Sequence, residues 1–207
     1  MKVIAVNGSP KQEGNTFLAL RMAAAELERQ GIATEVLHIG HRDIRGCMAC
    51  NACRKTGRCA YADEAVDEAA QKLYEADGIL LGSPVYYAGI NGTMKSFLDR
   101  VFYASNGRMR HKVGAGVAVV RRSGGMTAFN QLNEYFLISE MLIAPSFYWN
   151  VAHGGAPGEV QKDAEAASVL ANLGRNMAWM LHMKQQTAQT LPPPTPVARA
   201  WMNFIRE

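Results

Sequence analysis

The 207-residue sequence lacks several features that would assign a function at once. No apolar run approaches the ~18 residues of a membrane span, and no apolar export segment precedes a cleavage site near Met1. We therefore expect a cytoplasmic protein with no membrane partner. Lys/Arg-rich tracts and basic stripes with interleaved aromatic residues are also missing, although the net charge is +4. This pattern disfavours nucleic acid as a partner and suits a small anionic ligand.

Two well-known nucleotide-binding motifs are absent as well. The sequence contains neither G-x-x-x-x-G-K-[ST] nor G-x-G-x-x-G, so it predicts neither an NTPase phosphate loop nor the usual dinucleotide fingerprint. Cysteine is scarce but not scattered, because all four cysteines fall within thirteen residues, at Cys47, Cys50, Cys53 and Cys59. In a reducing compartment such a cluster favours metal binding or redox chemistry over structural disulfides.

Apolar runs alternate with helical periods along the chain. Short apolar runs predict five buried strands, and the segments between and after them predict five helices. The predicted strands are 2–7, 33–39, 78–87, 113–120 and 142–151, and the predicted helices are 15–31, 63–77, 92–104, 126–141 and 161–185. Strict alternation predicts a parallel sheet covered by helices on both faces. In such sheets ligands bind beyond the C-terminal ends of the strands, which singles out the loops after strands one, three and four.

The first of these loops, "NGSPKQEGNT", offers groups that suit a phosphate. It supplies the hydroxyls of Ser9 and Thr16, the amide of Asn15 and the positive charge of Lys11. The helix behind it presents unpaired N–H groups and a partial positive charge. The alternative is a polar turn that ends in an ordinary helix cap.

The second loop, "GSPVYYAGING", can form a flat apolar ledge for a planar ring. The candidate residues are Pro84, Val85, Tyr86, Tyr87 and Gly89. The alternative places both tyrosines in the core or in a subunit contact. Two adjacent tyrosines that leave a strand point in different directions, and a buried hydroxyl needs a partner, so we expect at least one of them outside the core.

The third loop, "RRSGG", brings backbone N–H donors close to a ligand through Ser123, Gly124 and Gly125. A plain strand-to-helix turn would look much the same. Taken together, a phosphate site, a ring ledge and a backbone cradle at one sheet edge describe a mononucleotide with a large planar head. FMN fits that description, and His153, in the Gly-rich loop after the fifth strand, lies near the predicted site.

The segments "GSPKQEGNT", "GSPVYYAGINGTMKSFLDR" and "RRSGG" resemble the NADPH-dependent FMN reductase family. The resemblance runs from Lys2 to about His182. It implies an α/β, flavodoxin-like three-layer α/β/α sandwich with a five-stranded parallel sheet in the order 2-1-3-4-5. It implies that the FMN phosphate lies at Ser9, Lys11, Asn15 and Thr16, with the isoalloxazine against Pro84, Val85, Tyr86 and Tyr87 and with Ser123 to Gly125 on its polar edge. Lys11 departs from the arginine that the family often has, so a compact ammonium replaces a bidentate fork.

The cysteine segment, "CMACNACRKTGRC", has the spacing C-x2-C-x2-C-x5-C. It resembles the cluster motif of iron–sulfur flavoproteins within this family, which implies a [4Fe–4S] cluster near the flavin on Cys47, Cys50, Cys53 and Cys59. One alternative is a structural zinc site, although consecutive x2 spacings strain a tetrahedral arrangement. Another is a set of thiols that hold no cluster and serve packing or redox sensing.

The resemblance implies an FMN-dependent oxidoreductase. Electrons would pass from NAD(P)H to FMN and on to a quinone, a flavin or another small acceptor. The alternative is an iron–sulfur flavoprotein electron carrier, with FMN and a [4Fe–4S] cluster, reduced by ferredoxin. A third possibility is a redox sensor with the cysteines as the switch. No side chain is assigned as a catalytic acid or base, because the flavin carries the redox chemistry.

The sequence also predicts the domain organisation. Residues 1–185 should form the flavodoxin-like domain, with a Cys-rich insertion at 45–60. The tail 186–207 contains Trp201, Met202, Phe204 and Ile205 and is too apolar for a free end. We therefore expect it to pack on a partner subunit of a homodimer or homotetramer.

Overall fold

The computed structural model describes residues 1–61, 63–200, 202 and 204, and in that part the chain forms seven strands and six helices. The strands are β1 (Lys2–Asn7), β2 (Ala33–His38), β3 (Gly78–Tyr86), β4 (Gly89–Ile90), β5 (Val113–Val120), β6 (Leu142–Ile143) and β7 (Val151–His153). The helices are α1 (Asn15–Arg29), α2 (Ala52–Thr56), α3 (Glu64–Glu75), α4 (Gly92–Tyr103), α5 (Gly125–Ile138) and α6 (Ala164–Thr187), with a 3-10 turn at Glu159–Lys162.

The main path of the sheet has the order β2-β1-β3-β5-β6, and all of these neighbours are parallel. Strands β1, β3 and β5 are apolar and almost fully buried along their length, as a sheet covered on both faces requires. One hydrophobic core joins one sheet face to α1 and α6, and a second joins the other face to α3, α4 and α5. This arrangement confirms the predicted three-layer α/β/α sandwich.

The predicted count of five strands was wrong, because two further short strands are present. The segment that leaves β3 turns back on itself, so that β4 pairs antiparallel with the end of β3 through Val85 and Ile90. The predicted fifth strand, 142–151, is interrupted and gives β6 and β7, which pair with opposite ends of β5. Pro145 lies in the interruption, and proline cannot donate a hydrogen bond to a neighbouring strand.

The five predicted helices are confirmed, each with ends within about three residues of the prediction. The short α2, inside the cysteine segment, was not predicted. Among the described residues we find no helix that combines the length and apolarity needed to cross a bilayer. Beyond α6 the described residues form no regular element, and Trp201 and Ile205 lie outside the described residues.

Candidate functional site

The loop after β1 is held from beneath by one buried side chain, Asn7. Its Oδ1 accepts a hydrogen bond from the backbone N–H of Ser9 at 3.0 Å. Its Nδ2 donates to the carbonyl oxygen of Gln12 at 3.0 Å and to that of Lys11 at 3.4 Å. The Ser9 hydroxyl in turn accepts from the N–H of Lys11 at 3.1 Å. The loop therefore has a defined shape before any ligand binds.

The four predicted phosphate residues surround the start of α1. Ser9 and Thr16 are buried, Asn15 is half-buried, and Lys11 is exposed. The helix is preceded by Gly14, which has no side chain to cap the first N–H groups. An anion at this helix end can accept hydrogen bonds from those N–H groups and is favoured by the helix dipole.

Asn15 differs from the expectation, because its amide is already engaged. Its Nδ2 donates to the carbonyl of Ala156 at 2.9 Å, and its Oδ1 accepts from the N–H of Val160 at 3.3 Å. These contacts tie the start of α1 to the loop after β7. In this arrangement Asn15 can offer a phosphate its backbone N–H more readily than its side chain.

The ring ledge is the tip of the β3–β4 hairpin. Tyr87 and Ala88 form the turn, with φ angles of 49° and 60°. Turns of this kind favour Asn and Gly, so a Tyr-Ala pair there is strained, and such strain is often found at functional sites. Tyr86 is half exposed and Tyr87 is fully exposed, which confirms that at least one tyrosine lies outside the core.

The third loop lies directly against this hairpin. Gly124 has a φ of 88°, and a Cβ atom on it would come within 2.8 Å of the Cα of Ala88 and 3.2 Å of the Cγ1 of Val85. Glycine is therefore required there both for its backbone conformation and for the close approach. Gly125 begins α5, so the unpaired N–H groups of the first turn of this helix lie beside the hairpin. Ser123 is exposed.

The first and second loops are also in direct contact. The N–H of Gly8 donates to the carbonyl of Gly82 at 2.8 Å, and the Nδ2 of Asn91 donates to the carbonyl of Gly8. Asn91 also caps α4 through the N–H of Met94. All three loops that the sequence selected therefore meet at one edge of the sheet.

Several residues that shape this edge were missed by sequence reasoning. Asn7 and Asn91 are buried amides that fix the loop backbone, and His38 has its Nε2 2.8 Å from the carbonyl of Ser9. A polar residue that closes an apolar strand, as in "KVIAVN", was the available signal for Asn7. Nothing local in the sequence marked Asn91 or His38, because their contacts join distant segments.

A cavity of about 760 Å³ lies beside the start of α1, lined by the loop after β7 together with Arg121. His153 lies there, as expected, with its Nδ1 3.3 Å from a carboxylate oxygen of Asp163. The Glu159 carboxylate accepts hydrogen bonds from the N–H groups of Gly155 and Ala156 at 2.7 and 2.8 Å. Those two N–H groups hold the pKa of Glu159 below its usual value, although burial opposes the shift.

The cysteine segment runs along α4 toward its C-terminal end. Cys53 is buried with its Sγ 4.0 Å from the carbonyl of Tyr103, whereas Cys47 and Cys50 are exposed and Cys59 is half-buried. Met94, at the other end of α4, lies under Gly8 of the first loop. At 1.5 Å per residue, Met94 and Tyr103 are about 14 Å apart along the helix axis. Within one chain, Cys53 is therefore well separated from the loop after β1.

The four thiols are near one another but do not converge on a point. Burial raises the pKa of the Cys53 thiol, a backbone hydrogen bond opposes this, and the other three cysteines raise the pKa further. Across residues 1–61, 63–200, 202 and 204, no group of three or more His, Cys, Asp or Glu is placed to hold a metal ion. The donor set thus matches a four-thiolate cluster in chemistry, and the ligand assignment stays a prediction.

Comparisons with known proteins show which family the chain resembles. A family model described as NADPH-dependent FMN reductase matches residues 1–156. An iron-sulfur flavoprotein of Methanocaldococcus jannaschii is 38% identical over 186 residues, which cover 86% of this chain and 96% of the relative. An iron-sulfur flavoprotein of Methanosarcina thermophila is 27% identical over 183 residues, which cover 84% of this chain and 95% of the relative.

Solved structures show the same fold at low sequence identity. RosB with bound 8-demethyl-8-formylriboflavin-5'-phosphate has a TM-score of 0.73 at 15% identity, covering 99% of this chain and 92% of that chain. A flavodoxin from the domain Archaea has a TM-score of 0.58 at 19% identity, covering 88% and 99%. The fold is flavodoxin-like, as predicted, and the chain belongs to the NADPH-dependent FMN reductase family.

Proposed function

We propose that the protein is an FMN-dependent oxidoreductase that passes electrons from NAD(P)H, through FMN, to a quinone, a flavin or another small acceptor. The observation that carries this proposal is the direct contact of three loops at one sheet edge. An open helix N-terminus, an exposed aromatic hairpin and a glycine-lined backbone lie side by side there. FMN has a phosphate, a ring and a polar ring edge in that order.

The chain's own residues would bind and orient the cofactor. Ser9, Lys11 and Thr16, together with the first N–H groups of α1, suit the phosphate. Pro84 to Tyr87 and Gly89 offer the surface for one ring face, and the backbone of Ser123 to Gly125 offers donors for the carbonyl edge. When bound, FMN would supply the redox chemistry, and such donors stabilise negative charge on a reduced ring.

The test begins with FMN binding to protein freed of cofactor. Lys11→Gln should weaken binding at least tenfold, since hydrogen bonds to charged groups contribute roughly 1.5–3 kcal/mol. Lys55→Gln is the matched control, because Lys55 is an exposed lysine on α2, away from the three loops. Protein that stays colourless after dialysis against excess FMN would refute the proposal.

The donor is tested separately under anaerobic conditions. The FMN-loaded protein is mixed with NADPH, with NADH or with reduced ferredoxin, and the loss of visible flavin absorption is followed. Rapid bleaching by a nicotinamide supports the reductase function. Bleaching by ferredoxin alone contradicts the reductase function and supports an electron carrier.

The electron carrier, with FMN and a [4Fe–4S] cluster, is the second candidate because of the four-cysteine segment. Proteins named iron-sulfur flavoproteins are similar to this chain over most of its length. When bound, the cluster would supply one-electron chemistry, and Cys47, Cys50, Cys53 and Cys59 would hold it.

Anaerobic reconstitution followed by iron and sulfide analysis tests the cluster. We expect roughly four iron atoms per chain, falling sharply in Cys50→Ser and unchanged in Lys55→Gln of the same segment. One tightly bound zinc ion instead would support the structural zinc site. Iron content that Cys50→Ser leaves unaltered would exclude these ligands.

The tail and the oligomer belong to the same proposal. The tail residues Leu191, Val197, Met202 and Phe204 are exposed, so no other described residue covers their apolar surface. Arg199 lies 3.7 Å from the Glu140 carboxylate. This contact places the tail beside the C-terminal end of α5. We infer a homodimer or homotetramer in which residues 186–207 pack on a partner copy. Light scattering of the full chain and of a chain ending at 187 tests this, since an unchanged mass would contradict it.

A further inference from the structure

A cavity of about 300 Å³ lies between α3, the C-terminal half of α4 and the cysteine segment. Liquid water takes about 30 Å³ per molecule, so the space equals about ten waters. Of the four cysteines only Cys59 lines the cavity, so it is not the point on which the thiols would converge. The cavity is also remote from the three proposed flavin-binding loops, those after β1, β3 and β5 (the flavin loops), because the sheet edge where they meet lies at the other end of α4.

Arg100 lines this cavity and is the most unusual group in it. The side chain is 2% exposed, although an arginine is seldom buried without full pairing. One terminal nitrogen contacts the Asp63 carboxylate at 3.1 Å, and the other donates to the carbonyl of Tyr61 at 2.8 Å. The Nε has no hydrogen-bond partner among the described residues. Unpartnered buried donors are rare in proteins, so the position of this side chain calls for an explanation.

The charges around the cavity favour an anion. Arg58 is largely exposed, and its contact with the Asp67 carboxylate is long, at 3.6 Å. Its side chain can therefore turn toward a ligand. Arg108 lies 3.8 Å over the ring of Tyr74 and donates to backbone carbonyls, so no carboxylate among the described residues neutralises it. Three guanidinium groups therefore face two carboxylates, those of Asp67 and Asp63.

The remaining walls are apolar. Val66 and Ala70 of α3 face Val101 of α4 across the cavity, and Ala104 follows at the end of that helix. The Tyr74 hydroxyl donates to the carbonyl of Val101 at 2.7 Å, and burial raises the pKa of Tyr74 to about 12, so the ring adds no negative charge. An occupant with an anionic head and a short apolar body matches both kinds of wall.

We propose that this cavity binds a small carboxylate with an apolar body, whose head lies between Arg100 and Arg58 and whose body packs between α3 and α4. The site is independent of the flavin and does not rest on the proposed function. The probe is benzoate, and benzamide is its uncharged counterpart of nearly the same shape. FMN-saturated protein is used so that neither probe occupies the flavin edge.

Calorimetric titration should show saturable binding of one benzoate per chain and at least tenfold weaker binding of benzamide. Arg58→Gln should weaken benzoate binding about tenfold by removing one exposed charge. Ala70→Leu should do the same by filling the apolar side without any change of charge. Lys55→Gln, from the same segment but outside the cavity lining, should leave benzoate binding unchanged.

FMN affinity and the circular dichroism spectrum of each variant show whether it is folded. Arg58 is a surface residue, so its variant keeps the test valid if Ala70→Leu misfolds. No saturable benzoate binding, equal binding of benzamide, or benzoate binding that Arg58→Gln leaves unchanged would each overturn the proposal.

Discussion

Gly40 offers a sharp test of how the phosphate loop is supported. It follows β2, and its N–H donates to the carbonyl of Asn7 at 3.3 Å. A Cβ atom on Gly40 would lie well inside 3.0 Å of the carbonyl oxygens of Gly8 and Ser9, a separation that real Cβ atoms essentially never show. Both neighbours are backbone atoms, so no side chain can rotate away. Gly40→Ala must therefore displace the loop.

The magnitude follows from the cost of overpacking. Extra atoms in a packed region cost about 1–3 kcal/mol, and each 1.4 kcal/mol is tenfold in affinity, so FMN binding should weaken about 5- to 150-fold. If the loop resists displacement, the same strain appears as a lower unfolding midpoint of the cofactor-free protein. Fluorescence titration of FMN and thermal unfolding together capture both outcomes.

Gly92→Ala is the matched control for this substitution. Gly92 begins α4 near the same sheet edge, and a Cβ atom there meets nothing within 4 Å. Its FMN affinity should stay within about twofold of the wild type, since no strain is introduced. Gly40→Ala could also bind FMN within twofold of the wild-type affinity and unfold at the wild-type temperature. In that case the inference that Gly40 supports the loop after β1 is wrong.

Three further predictions concern the loop, the hairpin and the helix cap. Asn7→Asp replaces the amide donor to the carbonyls of Lys11 and Gln12 by a repelling carboxylate, so FMN titration should show at least tenfold weaker binding; unchanged affinity would contradict this. Ala88→Gly removes the cost of a positive φ, so calorimetry should show unfolding about 2 °C higher, and a lower midpoint would exclude strain in the turn. Asp163 has a lowered pKa: burial opposes the shift, but the N–H groups of Ala166 and His153 outweigh it. Its stabilising effect is therefore present above its ordinary pKa of 3.8 and lost as the pH falls through the folded-state value. Asp163→Asn should lower the unfolding midpoint at neutral pH and not in strong acid, and an equal loss at both would refute it.

The fold was largely predictable because burial leaves a strong local signal. The apolar runs at 2–7, 78–87 and 113–120 became the three central strands, since strands buried on both faces must be apolar throughout. The segment 142–151 was harder, because its apolar residues continue through Pro145 while its backbone pairing does not. Composition alone does not report where a ladder of hydrogen bonds is interrupted.

For the candidate site, the sequence predicts which loops meet better than it predicts the contacts within them. Parallel topology alone selects the loops after β1, β3 and β5, and these three loops do meet. The brace between Asn91 and Gly8 spans 83 positions of sequence, so no local pattern reveals it. Asn15 also shows that a local pattern can mislead. The sequence predicts that its amide binds a phosphate, whereas in the structure the amide donates to the carbonyl of Ala156.

Helix α4 makes the two candidate redox sites separable by experiment. Its first turn supports the flavin loops through Asn91 and Met94, whereas its last turn contacts Cys53 through Tyr103. Because about 14 Å of helix lies between these ends, loss of a thiol should not alter the shape of the phosphate loop. Cys53→Ser should therefore abolish cluster assembly while FMN affinity stays within about twofold of the wild type. A parallel loss of both would mean that the cysteine segment supports the flavin loops through contacts other than α4.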